Sequence, residues 1–179
     1  MSRHRQRVLV IGLDCADPGL VFGAWRDDLP HLRSLMDAGA YGPLETCHPP
    51  ITVPAWSSMM SSRDPGQLGF YGFRNRADYS YDGMRIANST AVKAPRVWDL
   101  AERAGLRSVL VGVPQTYPLP NISGWVISDF LTPPGATDWA RPAELMGEVE
   151  ELLGGEPYEY DARNFRTNDK EGLLESIYR

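Results

Sequence analysis

An apolar run near the start of the chain, Val8-Leu9-Val10-Ile11-Gly12-Leu13, ends at an acidic residue, Asp14. A short continuous apolar run of this kind is typical of a parallel strand buried on both faces. Open α/β sheets bind their ligands in the crevice outside the carboxyl ends of such strands. The pattern therefore predicts a buried strand that places the Asp14 carboxylate at a ligand-binding edge. The carboxylate would serve there either as a metal ligand or as a cap of the Asp17-Pro18-Gly19 turn.

The rest of the chain alternates between helical and strand patterns. Helices are predicted over about 29–38, 55–61, 94–104 and 141–153, and strands over 41–45, 108–113 and 125–128. Alternation of this kind favours a doubly wound α/β domain, and right-handed crossovers would make its strands parallel. We predict one α/β domain over residues 1–179, with a mostly parallel sheet and helices on both faces. Residues 64–88 show little periodicity and are predicted to form a long loop over the site.

A threonine lies where one of these helices is predicted to begin. In Pro49-Pro50-Ile51-Thr52-Val53-Pro54-Ala55-Trp56, Pro54 suits a first helical turn, and apolar residues follow at helical spacing. Free backbone N–H groups and the positive end of the helix dipole gather at such a position. A phosphate bound to the Thr52 hydroxyl would therefore find donors already in place. Threonine is also a preferred N-cap residue, so the pattern alone leaves a plain helix cap as the alternative.

Composition and motifs exclude several classes of function. A net charge of −5 and a pI near 5.2 argue against binding to a nucleic-acid backbone, because no basic face is available. The chain has neither a Gly-x-Ser-x-Gly elbow, nor a Walker A loop, nor a Gly-x-Gly-x-x-Gly turn. Its two cysteines are too few for a disulfide framework or a structural zinc site. The apolar run after the basic first seven residues is too short for a signal peptide or a membrane span, which predicts a cytoplasmic protein.

Several short segments follow one another in a specific order along the chain. They are Gly12-Leu13-Asp14 and residues 29–32, 49–56, 62–69, 94–100 and 113–118. This ordered set resembles the N-terminal part of the alkaline phosphatase superfamily. The resemblance is to the type I phosphodiesterase and nucleotide pyrophosphatase branch in particular, and to its relatives described as predicted phosphohydrolases or phosphomutases. It covers most of the chain and implies an alkaline-phosphatase-like fold.

The resemblance implies a role for each matching residue. Asp14 matches the first-strand aspartate that binds a catalytic metal. Thr52 matches the threonine that attacks phosphorus while its oxygen contacts the same metal. Coordination would supply the alkoxide, since a free threonine hydroxyl is a weak nucleophile. Asn75 is the expected donor to the phosphoryl oxygens, although its offset from Thr52 departs slightly from the family pattern and Arg74 is the alternative.

The implied activity is that of a metal-dependent phosphohydrolase acting on small phosphodiester or nucleotide-type substrates. Two zinc ions are the expected cofactor, with manganese or magnesium as alternatives. Sulfatases of the superfamily need a cysteine or serine at the nucleophile position that is converted to formylglycine. Thr52 cannot be converted in this way, so a phosphate ester is favoured over a sulfate ester as substrate. Trp56 and Tyr71 are expected either to offer a stacking surface to the leaving group or to lie in the core. A phosphomutase is the nearest rival activity.

The family takes its remaining metal ligands from a C-terminal half that includes an Asp-His pair. This chain has three histidines, His4, His31 and His48, and no Asp-His pair. We therefore expect the second metal's ligands to lie outside this chain, which would be an N-terminal fragment of a larger catalytic domain. Residues 173–179 have the pattern of an unfinished helix, and a cut sheet edge would allow self-association. A truncated, noncatalytic fragment or binding module is the alternative to an enzyme.

Overall fold

The computed structural model describes residues 7–156, 158 and 167–177. The chain divides into two compact units, Met1–Thr46 and Cys47–Arg179. A mixed α/β arrangement of helices and small sheets is present, as predicted. The single incomplete domain expected over 1–179 stays a prediction.

The apolar segment of the first unit does not form the predicted strand. Residues 8–13 carry no β-structure, and their side chains are exposed, with Val8 at 86%. A strand is stable only when its backbone N–H and C=O groups share a ladder with a neighbouring strand, and these residues form no such ladder. The strand predicted over 41–45 is also absent for this reason. Both predictions are wrong for the structure as described.

Helix α1, Pro30–Ala38, is the α-helix of the first unit and confirms the prediction over 29–38. Pro30 occupies the first helical turn, where its missing N–H costs nothing, and Met36 is the buried residue of the helix. Two surface ion pairs connect the helix to the segment before it. Arg33 Nη1 lies 2.9 Å from Asp27 Oδ1, and Arg26 Nη2 lies 2.7 Å from Asp37 Oδ1.

The second unit carries the sheets and most of the described helices. Its α-helices are α2 (Thr52–Ser61), α3 (Pro65–Leu68), α4 (Val97–Arg103), α5 (Glu144–Leu152) and α6 (Lys170–Ile177). Its strands are β1 (Arg74–Arg76), β2 (Met84–Ile86), β3 (Ser108–Val111), β4 (Gly124–Ile127) and β5 (Ala140–Arg141). The predictions over 55–61, 94–104 and 141–153 correspond to α2, α4 and α5, whose ends differ from the predicted ones by at most three residues. Helix α2 begins three residues earlier than predicted, at Thr52.

The strands form two small sheets. Strands β1 and β2 are an antiparallel hairpin, in which Asn75 pairs with Arg85. The second sheet has the order β3-β4-β5, with β3 parallel to β4 and β5 antiparallel to β4. The parallel pairing of the two strong apolar strands is confirmed. The mostly parallel sheet with helices on both faces is not confirmed, because the described sheets are small and partly antiparallel.

The segment predicted as a long loop over 64–88 contains regular structure. Asp64 caps α3 through a 2.8 Å bond from the Gln67 N–H, and Gly69 ends it in the left-handed conformation, at φ 76°. The hairpin β1–β2 follows, and its turn is organised by Asp78, which accepts a 2.7 Å bond from the Ser80 N–H. The prediction of an irregular loop is therefore wrong, because local capping and turn bonds satisfy the backbone.

Two buried clusters hold α2 in place. One joins Trp98, Leu110, Ile122 and Val126, and Met60 near the end of α2 packs against it. The other joins Val53 at the start of α2 to Phe70 and Ala87. Both ends of the ten-residue helix are thus anchored, which fixes the position of its first residue.

Glu102 at the end of α4 is expected to contribute stability that depends on pH. Its carboxylate accepts hydrogen bonds from the Ser123 N–H and hydroxyl, and these bonds lower the pKa of Glu102 below its usual 4.5. A group whose pKa is lowered by folding stabilises the protein above its unfolded-state pKa, and this contribution is lost as the pH falls through the folded-state value. Glu102→Gln should lower the urea midpoint near pH 7, and the difference should shrink progressively as the pH falls below the usual pKa of a glutamate. The exposed Glu148→Gln is the control, and equal shifts for both variants would contradict the prediction.

Candidate functional site

Thr52 is the first residue of α2. The residue before it, Ile51, is the N-cap, with extended backbone angles (φ −119°, ψ 143°) and no side-chain capping bond. Thr52 is therefore not the helix cap that the sequence left as an alternative. Its side chain is half-buried, and its hydroxyl makes no hydrogen bond with any described residue. The hydroxyl is free to react or to bind a ligand.

Unpaired backbone N–H donors lie at the start of this helix. The first hydrogen bond closing the helix runs from the Ala55 N–H to the Ile51 carbonyl, at 3.0 Å. Pro54 has no N–H, and the N–H groups of Thr52 and Val53 have no acceptor within the described part of the chain. The helix N-terminus thus offers two unpaired N–H donors beside the hydroxyl, together with the positive end of the helix dipole. This is an environment that favours a bound anion such as phosphate.

The hairpin lies next to this helix start. Val53 is fully buried against Phe70 and Ala87, which precede β1 and follow β2. On the other side of Thr52, the Ile51 Cδ1 atom would lie 3.9 Å from a methyl group added at Gly72. The residues on both sides of Thr52 therefore pack against the hairpin and the segment leading into it.

Asn75 closes the turn that leads into the hairpin. Its Oδ1 accepts a bond from the Tyr71 N–H and its Nδ2 donates to the Gly72 carbonyl, both at 2.9 Å. One of the two Nδ2 hydrogens is used in this way, so the other remains for a ligand. Asn75 therefore holds the shape of the turn beside α2, whether or not it also contacts substrate.

A cavity of about 450 Å³ opens on this turn. It is lined by Gly69, Tyr71, Arg74, Asn75, Arg76 and Met84. The structure thus brings together two residues singled out in the sequence, Arg74 and Asn75, and adds Arg76. Sequence reasoning missed Arg76, although its spacing of two from Arg74 in an extended segment could have placed both on one face.

A buried glutamine connects α2 to the rest of the unit. Gln115 is 1% exposed, and its Oε1 accepts a bond from Ser57 on α2. Its Nε2 donates to the Ala87 carbonyl after β2, at 2.7 Å, and its own carbonyl accepts a 3.0 Å bond from Arg96. Gln115 adopts a left-handed backbone, with φ 62°, which is costly for a residue other than glycine. This strained position holds α2 and the hairpin in one polar network.

Burial has a measurable electrostatic consequence at Arg96. Desolvation lowers the pKa of the Arg96 guanidinium, and the nearby Asp99 carboxylate partly offsets this effect. The guanidinium also lies over the Trp98 ring, 4.7 Å from its centroid. Arg96 remains charged, and it is a structural cation of the network.

Asp129, which follows β4, has a structural function. Its two carboxylate oxygens accept bonds from the N–H groups of Thr116 (2.7 Å), Tyr117 (3.2 Å) and Leu131 (2.8 Å). The side chain is fully buried. A carboxylate with these donors satisfied organises the two loops at the ends of β3 and β4 and has little capacity left for a metal.

The comparison with known families decides the class of protein. The family model of type I phosphodiesterases / nucleotide pyrophosphatases matches residues 8–168. The chain belongs to this family. The predicted resemblance to this branch of the alkaline phosphatase superfamily is thereby confirmed. A search of curated proteins found no match, and neither did a search of solved structures.

Members of this family are phosphoric ester hydrolases that act on small phosphoester or nucleotide substrates and are generally metal-dependent. In this member, the predicted metal ligand Asp14 lies in the first unit, exposed, with one oxygen accepting a 3.1 Å bond from the Cys15 N–H. A carboxylate and a threonine oxygen are hard donors that fit zinc, manganese or magnesium in chemical type. Within residues 7–156, 158 and 167–177, no three His, Cys, Asp or Glu side chains group closely enough to hold a metal ion.

The remaining predicted residues of this family member lie in the second unit. Trp56 is half-buried on α2, and Tyr71 is 54% exposed and lines the cavity. Their contact with a leaving group stays a prediction. Among the described helices, none is both long and apolar enough to cross a membrane.

Proposed function

We propose that this chain provides the nucleophile of a metal-dependent phosphohydrolase that cleaves phosphodiester or pyrophosphate bonds in small, nucleotide-type substrates. The observation that carries the proposal is the position of Thr52. Its unpaired hydroxyl begins a helix whose first two N–H groups are free. A phosphoryl group at this point would have a nucleophile and two donors within reach.

The proposed reaction has two steps. The Thr52 oxygen forms a bond to phosphorus as its hydroxyl proton is lost, and the bond from phosphorus to the leaving oxygen breaks. Water then attacks the phosphothreonine, which releases phosphate ester product and restores the hydroxyl. The N–H groups of Thr52 and Val53 would bind phosphoryl oxygens as their negative charge moves during both steps.

Two further side chains would complete the phosphoryl site. The free Nδ2 hydrogen of Asn75 would donate to a phosphoryl oxygen, with the Arg74 guanidinium as the alternative donor, because β1 directly follows the turn that packs beside α2. Trp56 would support the leaving group. These roles rest on the family resemblance together with the packing of the hairpin against the residues next to Thr52.

Asp14 and Thr52 are each proposed as metal ligands on the family resemblance alone. The metal would supply Lewis acidity that lowers the pKa of the threonine hydroxyl. Two zinc ions remain the proposed cofactor, with the second ion's ligands outside this chain. A phosphomutase, which would return the phosphate to a bound product, shares the first step. The cytoplasmic location and self-association through a sheet edge stay predictions from the sequence.

Metal calorimetry combined with a hydrolysis assay tests the proposal. Zinc and manganese should each bind the chain, and Asp14→Asn should weaken binding by more than the roughly 10- to 100-fold that outer-shell changes cost. Asp28→Asn, another exposed carboxylate of the first unit, should bind as the unchanged chain does. A protein that contains this chain together with the ligands of the second metal should hydrolyse a chromogenic phosphodiester once metal is added. Equal affinity in both variants would rule out Asp14 as a ligand.

A further inference from the structure

The hairpin carries three arginines that form no ion pair with a described acidic group, against two aspartates in its turn. Arg74, Arg76 and Arg85 lie on its two strands, and no ion pair involves any of them among the residues that the structure describes. Asp78 and Asp82 of the turn form no ion pair with these arginines among the described residues, and the Asp78 carboxylate instead accepts a hydrogen bond from the Ser80 N–H. This charge stands out in a chain with a net charge of −5. The hairpin is therefore a local site of positive potential.

Two of the three arginines line the cavity. Arg74 and Arg76 are two residues apart on β1, so they extend from the same face of the strand. Met84, which pairs with Arg76 across the hairpin, and Tyr71 supply the apolar part of the lining. Arg85 pairs with Asn75 instead and lies outside the lining. The cavity thus combines two unpaired guanidinium groups with an apolar wall.

Contacts within the hairpin and with neighbouring segments restrain the residues around the cavity. The Arg76 guanidinium lies over the Tyr81 ring at 4.0 Å, which limits its motion and leaves its N–H edges free. Asn75 fixes the turn, whose Gly72 lies beside Ile51. The Phe73 ring contacts Phe130 edge-on, with ring centroids 6.0 Å apart, which ties the hairpin to the loop after β4. An anion bound to the two arginines would therefore lie on a restrained hairpin, whose leading turn packs beside Ile51, the residue before Thr52.

We infer that this cavity is a second anion subsite: with Asn75 as the donor to the attacked phosphoryl group, Arg74 and Arg76 bind a charged group carried by the leaving part of the substrate. The inference rests on the proposed function, because it assigns this group to the same substrate that Thr52 attacks. Guanidinium groups bind phosphate and carboxylate in bidentate fashion, so either could supply the charge. Substrates whose leaving group is itself anionic are favoured over those that release a neutral alcohol. Tyr71 and Met84 contact the apolar part of that leaving group.

Anion binding to the metal-free chain tests the subsite separately from catalysis. In chelator-treated protein at low ionic strength, inorganic phosphate and malonate are titrated by calorimetry, and the comparison identifies whether phosphate or carboxylate is preferred. Arg74→Gln and Arg76→Gln should each weaken binding of the preferred anion about tenfold, since each removes a charge-assisted contact. Arg85→Gln makes the same charge change on the same hairpin and should alter affinity less than twofold.

The outcomes separate this inference from the proposed function. Because all three arginines are exposed, the variants should keep the fold, which circular dichroism checks. Thr52→Ala should retain anion binding, since the subsite uses neither the hydroxyl nor a metal. If the protein binds the anion but does not hydrolyse the phosphodiester when metal is supplied, the proposed function is contradicted and the anion subsite is not. Absence of binding, or equal losses in Arg76→Gln and Arg85→Gln, would overturn the subsite even if Thr52 were shown to be the nucleophile.

Discussion

Replacement of Thr52 by alanine is expected to lower phosphodiester turnover by about a thousandfold or more, because loss of a nucleophile removes the covalent path. Thr52 begins α2, and its hydroxyl has no hydrogen bond with the described residues. The fold should therefore not depend on this side chain, and the free energy of unfolding should change by less than about 0.5 kcal/mol. The measurement is kcat on a chromogenic phosphodiester, made on a protein that contains this chain together with the ligands of the second metal.

Thr52→Ser is the matched variant. It keeps a hydroxyl at the same helix position, so it should retain measurable turnover and form a phosphorylated serine that mass spectrometry detects. Ser62→Ala, at the other end of α2, removes an exposed hydroxyl and should leave turnover unchanged. If Thr52→Ala kept the activity of the unchanged chain, Thr52 would not be the nucleophile, and the helix N-terminus would only bind phosphate.

The helices and the parallel strand pair could be predicted because their signals are local. Pro30 and Pro54 mark first helical turns, and apolar residues recur at helical spacing after each. Residues 108–111 and 124–127 form continuous apolar runs of the length expected for buried strands, and they pair in parallel. The equally apolar residues 8–13 show the limit of this reasoning. A strand pattern states a preference, but a strand forms only where a partner shares its ladder.

The missed features depend on contacts between distant parts of the sequence or on very short elements. Strand β1 is entirely polar, and the three residues of β2 are too few for their apolar–polar alternation to mark a strand. Gln115 bonds to Ser57, which lies 58 positions earlier, and no local pattern reports such a pairing. The position of Thr52 at a helix start was predictable from Pro54. The cavity beside it was not, because it is formed by a hairpin that the sequence does not reveal.

Asp129→Ala is expected to destabilise the second unit by about 3 kcal/mol or more. The fully buried carboxylate accepts bonds from the N–H groups of Thr116, Tyr117 and Leu131. Removal of the carboxylate leaves these donors buried without acceptors, and each such group costs about 1–3 kcal/mol. Asp129→Asn keeps one side-chain oxygen, so its free energy of unfolding should lie between those of the unchanged chain and of Asp129→Ala. The measurement is the free energy of unfolding in urea, at constant m-value.

Asp138→Ala is the control for Asp129, because Asp138 is exposed and accepts one hydrogen bond, from the Tyr117 hydroxyl at 2.7 Å. This bond raises the pKa of Tyr117, so its loss should restore the ordinary titration of that phenol and change stability by less than about 1 kcal/mol. Thr116 follows Gln115, which bonds to Ser57 on α2. Loss of the Asp129 contacts should therefore also loosen the helix that begins at Thr52, and kcat should fall more than KM rises. Equal stability losses at Asp129 and Asp138 would contradict the assignment of Asp129 as the buried acceptor that organises both loops.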